Sequence, residues 1–173
     1  LYSVPYYHKE EEFLAPPIET IEEELCKYVI SNIDHCMGYY QNQKKKGIRI
    51  GEGKKSCTAK FSEDDVSIEL DNNILLVLRD TSQRMDIVRS DVKTRLAKAH
   101  HMIRHSMMLD MTIRPGSFCF TCLTERLAKE NLKMHMERKD KRMMMFTIID
   151  AKALDKENEE DLEFRFLVDP VNS

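Results

Sequence analysis

From Ile18 onward, apolar residues recur at Ile18, Ile21, Leu25, Tyr28, Val29, Ile33, Cys36, Met37 and Tyr40. Steps of three and four place them on one face of a helix. Pro17 stands where a first-turn proline is tolerated, and Glu19, Glu22, Glu23 and Glu24 set negative charge against the positive end of the helix dipole. Lys44, Lys45 and Lys46 match the other end, and Gly47 supplies a stop. After Gly47 the period falls to two. Ile48 and Ile50 flank Arg49; Cys57, Ala59 and Phe61 alternate with Thr58 and Lys60; Val66, Ile68 and Leu70 alternate with Ser67 and Glu69. A fourth run, Ile74 to Leu78, is apolar throughout. The breaks at Gly51 to Lys55, Ser62 to Asp65 and Asp71-Asn72-Asn73 carry turn chemistry. Four short strands with tight connections predict an antiparallel meander, and its apolar face needs a cover that the first helix can supply.

Asp80-Thr81-Ser82 ends that sheet, and Ile87 to Leu109 reads as a short strand-like entry followed by a helix with Val92, Leu96, Ala99, His100, Ile103 and Met107 on one face. Arg114-Pro115-Gly116 is a turn, and Ser117 is the expected N-cap of a shorter helix, Phe118 to Glu130, closed by Asn131. Strands follow at Leu132 to Glu137, Met143 to Ile149 and Leu162 to Val168, the last two separated by an acidic loop. The predicted class is α+β: a long N-terminal helix over an antiparallel β-meander, then two helices and a second three-stranded antiparallel element. Residues 1–17 contain Pro5, Pro16, Pro17 and three tyrosines among the first seven residues, which predicts an extended N-terminal tether. Residues 18–80 and 81–173 form the two halves of one continuous globular domain in this reading.

Composition narrows the class. At 173 residues the chain can bury a core without help from a metal or a disulfide. It is 42% hydrophobic and 33% charged with 5 Gly and 5 Pro, which excludes collagen-like, linker-like and fully disordered chains. A net charge of −3 gives no bulk basic character, so nucleic acid is not an expected partner. No run reaches the roughly 18–20 apolar residues of a membrane-spanning helix. The first residue is Leu1 rather than Met, which raises the expectation of a leader or membrane anchor upstream, or of a fragment.

The densest chemistry lies in His101-x3-His105 followed by Cys119-x2-Cys122. Two imidazoles one helical turn apart and two thiolates two residues apart form a donor set for tetrahedral zinc. The same cysteines, near a helix start, have the spacing used for thiol–disulfide exchange. They also read as small apolar fillers beside a polar helix side. Cys26 and Cys36 lie about 15 Å apart along the first helix, too far to bond to one another. In an oxidising compartment the bridges run from this helix to Cys57 or within the Cys119/Cys122 region, and five cysteines leave one over. Methionines gather at Met102 to Met111 and Met134 to Met145, where they fill a core or offer an adaptable partner surface. No phosphate-cradling glycine loop, G-x-S-x-G or H-E-x-x-H is present, so no catalytic residue is assigned.

The order of elements also resembles the extracytoplasmic domain of uncharacterised, single-pass membrane-anchored surface proteins of small-genome archaea. The residues that carry the likeness are Ile21-Glu22 with Tyr28-Val29, Gly47-Ile48-Arg49-Ile50-Gly51, Asp65 to Leu70, Asp80-Thr81-Ser82 and Arg95-Leu96. It implies an exterior location and a role in surface architecture or attachment. The chain departs from it in its many Met and His residues. The leading expectation is a non-enzymatic structural or interaction protein at the cell surface, without a cofactor, assembling with itself or attached to a surface protein. The interface candidates are two edge strands, through Leu162, Phe164 and Phe166 and through Ile48 and Ile50, because unpaired edges template strand addition. The alternatives are a cytoplasmic interaction module with zinc on His101, His105, Cys119 and Cys122, and a redox protein using the same cysteine pair.

Overall fold

The N-terminal segment is where the fold first departs from the pattern. In the computed structural model, which describes residues 4–10, 12–36, 49–78, 81–113, 118–150 and 162–170, the expected tether contains two strands, β1 (Tyr6–Glu10) and β2 (Glu12–Phe13). There follow α1 (Ile18–Cys36), β3 (Arg49–Glu52), β4 (Ser56–Phe61), β5 (Asp65–Leu78) and β6 (Thr81–Lys93). The remainder is α2 (Leu96–Ile113), α3 (Phe120–Lys129), β7 (Lys133–Arg138), β8 (Met144–Asp150) and β9 (Leu162–Pro170). The class is α+β, as the two periods predict. The chain divides into two compact units, one of Leu1–Ile18, Ser62–Asp65 and Lys93–Ser173, the other of Glu19–Phe61 and Val66–Val92. The division therefore falls elsewhere than at residue 80.

The first unit is a five-stranded sheet in the order β2-β1-β9-β8-β7. β9 pairs antiparallel with β8 and parallel with β1, with His8 opposite Val168 and Lys9 opposite Asp169. The expected three-stranded element thus gains two strands from the N-terminus, and β9 is interior. Its expected role as an edge is overturned: Phe166 is fully buried and Phe164 is packed against the core. The physical reason is Tyr7, which is itself fully buried with its ring 4.9 Å from Phe166. A large aromatic buried here secures the parallel strand that carries it.

One face of this sheet is covered by α2 and α3 through Ala99, Ile103, Met107, Leu123 and Leu127. Phe120, Phe146, Phe166 and Tyr7 form a column of rings across four elements, with centroids 5.1, 5.1 and 4.9 Å apart. Arg95, just before α2, fixes the helices to the strands. Its backbone N–H donates to Asp150 at the end of β8 (3.1 Å), its guanidinium forms an ion pair with the same carboxylate, and it also donates to the carbonyl of Glu130 after α3. Both side chains of the pair are almost wholly buried.

The second unit is built around β5. The two runs expected as separate strands, Val66 to Leu70 and Ile74 to Leu78, are one strand of 14 residues. β4 pairs with its first half and β3 with its second, both antiparallel, so β3 and β4 lie end to end as one interrupted strand. The register slips by one residue at Gly53 to Lys55, where Asn73 takes a positive φ of 45°. A Cβ at Gly53 would come within 2.7 Å of the Asn73 Cβ, so only glycine fits there. Asn73 is held in its turn by a bond from its N–H to Asp71 Oδ1 (3.1 Å). The core here consists of Cys26, Ala59, Val66, Leu70 and Ile74.

Replacing one partner of a buried ion pair leaves the other charge uncompensated. Asp150→Ala is expected to destabilise the first unit by about 3–5 kcal/mol, read as a lower midpoint in urea unfolding followed by circular dichroism.

Candidate functional site

β6, expected only as a short strand-like entry at Ile87, is a strand of 13 residues that begins at Thr81. It pairs with β5, and among the described residues with nothing else. Arg89 meets Glu69 (3.4 Å) and Lys93 meets Asp65 (3.3 Å), so the strands run antiparallel. The Arg89 contact places Ile87, Arg89 and Asp91 on the face of Glu69. Alternation then puts Val88, Ser90 and Val92 on the other face, that of Val66 and Leu70. Cys57 lies opposite Leu70 on this same face and is bonded to Cys26 of α1. The helix therefore covers the face on the β4 side, while Val88 and Val92 remain 51% and 43% exposed. Every described side chain of β6 is exposed, and Ile87 reaches 68%. β6 is thus a strand of 13 residues with exposed β-branched side chains and an edge that no other described strand covers. Its signal in the sequence was Ile87-Val88 and Val92 between Thr81 and Thr94. The frequent charges, and a Val92 spacing that also suits the following helix, concealed it.

The other expected edge is present in part. Ile50 lies in β3, paired with Leu76 of β5, and Ile48 is outside the described residues.

The Cys26–Cys57 disulfide ties α1 to β4 and lies at the floor of a cleft of about 420 Å³. Glu22, one turn before Cys26, is buried although it falls within the acidic helix start. Its carboxylate accepts from Lys60 Nζ and from the backbone N–H of Phe61, both at 2.9 Å. Burial pushes the Glu22 carboxyl up, but the bonds from Lys60 and Phe61 and the Lys60 charge together hold it below its ordinary value. The buried stripe of α1 thus runs through Glu22 and Cys26, and Tyr28, expected on the apolar face, is exposed. Of the cleft's charges, Glu22 and Lys60 hold helix to strand, and Lys27 pairs with Glu24 of the same helix.

The second disulfide joins Cys119 to Cys122 at the start of α3. Cys119 is itself the N-cap, its sulfur accepting from the Cys122 N–H at 3.2 Å; the expected cap, Ser117, lies outside the described residues. The structure does not bring His101, His105, Cys119 and Cys122 together as a zinc site. The two sulfurs are bonded to each other, both imidazoles are exposed on α2, and among the described residues no three His, Cys, Asp or Glu side chains converge to hold a metal. Of the three histidines on α2 the buried one is His100, whose Nδ1 is 2.6 Å from the Tyr7 hydroxyl. Burial pushes that hydroxyl far above its ordinary range against the opposing charge of Arg104, so it stays protonated. Both residues are fully buried, which makes the pair part of the core. Among the described residues no helix is long and apolar enough to cross a membrane.

No protein-family model, curated protein or solved structure matches this chain.

The α1–β4 tie generates two expectations. Cys26→Ala/Cys57→Ala removes a link across 31 residues and should lower stability by about 3–4 kcal/mol in urea unfolding, the loop-closure value for that span. Because the folded Glu22 carboxyl is depressed, its contribution is present above the ordinary value of 4.5 and is lost as pH falls through the folded value. Thermal melts from pH 7 to pH 3 should therefore fall less steeply for Glu22→Gln than for the parent chain.

Proposed function

We propose that this chain is a non-enzymatic structural protein of an extracytoplasmic or cell-surface setting that assembles with itself through β6. One observation carries the reading: the edge of β6, which no other described strand covers, is complementary to a second copy of itself. In antiparallel pairing centred on Ser90, Val88 of each copy faces Val92 of the other on the α1 side of the sheet. On the opposite face Arg89 of each copy faces Asp91 of the other. Apolar pairs on one face and opposite charges on the other are the combination that stabilises an antiparallel pair. Addition of the second strand would also continue the apolar surface that α1 covers only in part. The two disulfides support the setting, since such bonds persist in oxidising compartments.

Sedimentation velocity tests this directly. The parent chain is expected to associate with rising concentration. Arg89→Asp places two carboxylates opposite each other on both sides of the dyad, and Asp91→Arg does the same with two guanidiniums, so each is expected to dissociate the dimer by at least about tenfold. The double variant Arg89→Asp/Asp91→Arg restores the opposite charges and is expected to restore the dimer. A parent chain that remains monomeric at high concentration, or a double variant no better than the singles while still folded by circular dichroism, would overturn the proposal.

A further inference from the structure

Independently of β6, the two disulfides differ in a way that assigns them different roles. Cys26 lies on the buried face of α1 and Cys57 is half-buried, whereas Cys122 is exposed and Cys119 half-buried at the start of a helix of 10 residues. We propose that Cys119–Cys122 is an exchangeable disulfide that accepts electrons from a dithiol, while Cys26–Cys57 is a fixed structural bond.

Three features of the motif support this. Cys122 is the more exposed residue of the pair, so its sulfur is the one assigned to meet an incoming thiolate. The sulfur that would then leave, Cys119 Sγ, already accepts the Cys122 N–H at 3.2 Å and occupies the N-cap, where the helix dipole favours a thiolate. A better-stabilised leaving thiolate leaves faster. Finally, the frame is rigid without the bond. Phe120, between the two cysteines, stacks on Phe146 at 5.1 Å; Leu123 and Leu127 of α3 are fully buried; and Asp110 of α2 accepts the Cys119 N–H at 2.6 Å. Opening the disulfide therefore leaves the helix anchored through its own packing. The Asp110 carboxylate adds negative charge near the motif, opposed to the helix end, but the direct N–H bond to sulfur acts at shorter range.

The exchange balances as follows. A substrate thiolate attacks Cys122 Sγ, the bond between the two cysteines breaks, and its electron pair leaves on Cys119 Sγ. The resulting mixed disulfide is resolved when the substrate's second thiolate attacks the substrate's first sulfur, releasing Cys122 as a thiolate. The substrate dithiol is oxidised by two electrons to a disulfide, Cys119 and Cys122 are reduced to two thiols, and the two substrate protons pass to them. The partner is thus a molecule that presents two neighbouring thiols, and one disulfide is transferred per chain.

The unaltered chain provides the first test, with dithiothreitol as the dithiol and alkylation followed by peptide mass mapping as the readout. Cys119 and Cys122 are expected to become labelled at a dithiothreitol concentration at least about tenfold below that which labels Cys26 and Cys57, with the circular dichroism spectrum unchanged. The second test assigns the attacked sulfur in a Cys36→Ser background, which removes the fifth thiol. There, brief treatment of the oxidised chain with glutathione, with iodoacetamide trapping the released thiol, should leave glutathione on Cys122 and the alkyl group on Cys119, in at least about tenfold excess over the reverse. Opening of both disulfides at the same concentration, or loss of structure as Cys119–Cys122 opens, would overturn the exchange role. Glutathione found equally on the two cysteines would overturn the assignment of Cys122 as the attacked atom.

Discussion

The buried bond between Arg95 and Asp150 is the constraint on which the first unit is organised. The carboxylate stands at the start of α2, where it meets both the guanidinium and the backbone N–H of Arg95, while the same guanidinium closes the end of α3 through the Glu130 carbonyl. One ion pair therefore fixes the beginning of one helix, the end of another and the end of a central strand. An anion at a helix N-terminus is favoured by the dipole, and the additional hydrogen bonds offset the desolvation that makes most buried ion pairs costly. With the helices set in this way, the aromatic column from Phe120 to Tyr7 packs across the sheet.

The second unit uses a different constraint, the length of β5. On one side its 14 residues are followed by two shorter segments, β3 and β4. Gly53 and Asn73 absorb the one-residue slip, and the disulfide and Glu22 hold α1 against the β4 half. The helix covers part of the sheet, and the β6 side keeps its apolar residues exposed. The surface available for assembly thus follows from where the helix is tied.

Much of the fold was legible in the letters. Charges at the start of α1, the alternation in β4, β7, β8 and β9, and the apolar spacing of α2 and α3 each correspond to a described element. The bridge from the first helix to Cys57 and the bridge within Cys119/Cys122 were both among the expected pairings. Three features were not legible. Tyr7 looked like part of a tether because its partner strand is contributed by residues some 160 positions later. β9 looked like an edge for the same reason. β6 was hidden because charges interrupt its period and its last residues run directly into a helical pattern.

The sequence by itself determined which segments are helical and which extended, because those choices depend on periodicity and end charges within a few residues. It also narrowed the cysteines to a short set of pairings, through spacing along one helix. Only the tertiary structure decided the neighbours: that β1 lies beside β9, that Glu22 is buried against Lys60 and Phe61, that Cys119 and Cys122 are bonded to each other, and that among the described strands β6 pairs with β5 alone. Strand pairing and burial are relations between distant segments, and local pattern specifies the faces that must be covered without specifying what covers them.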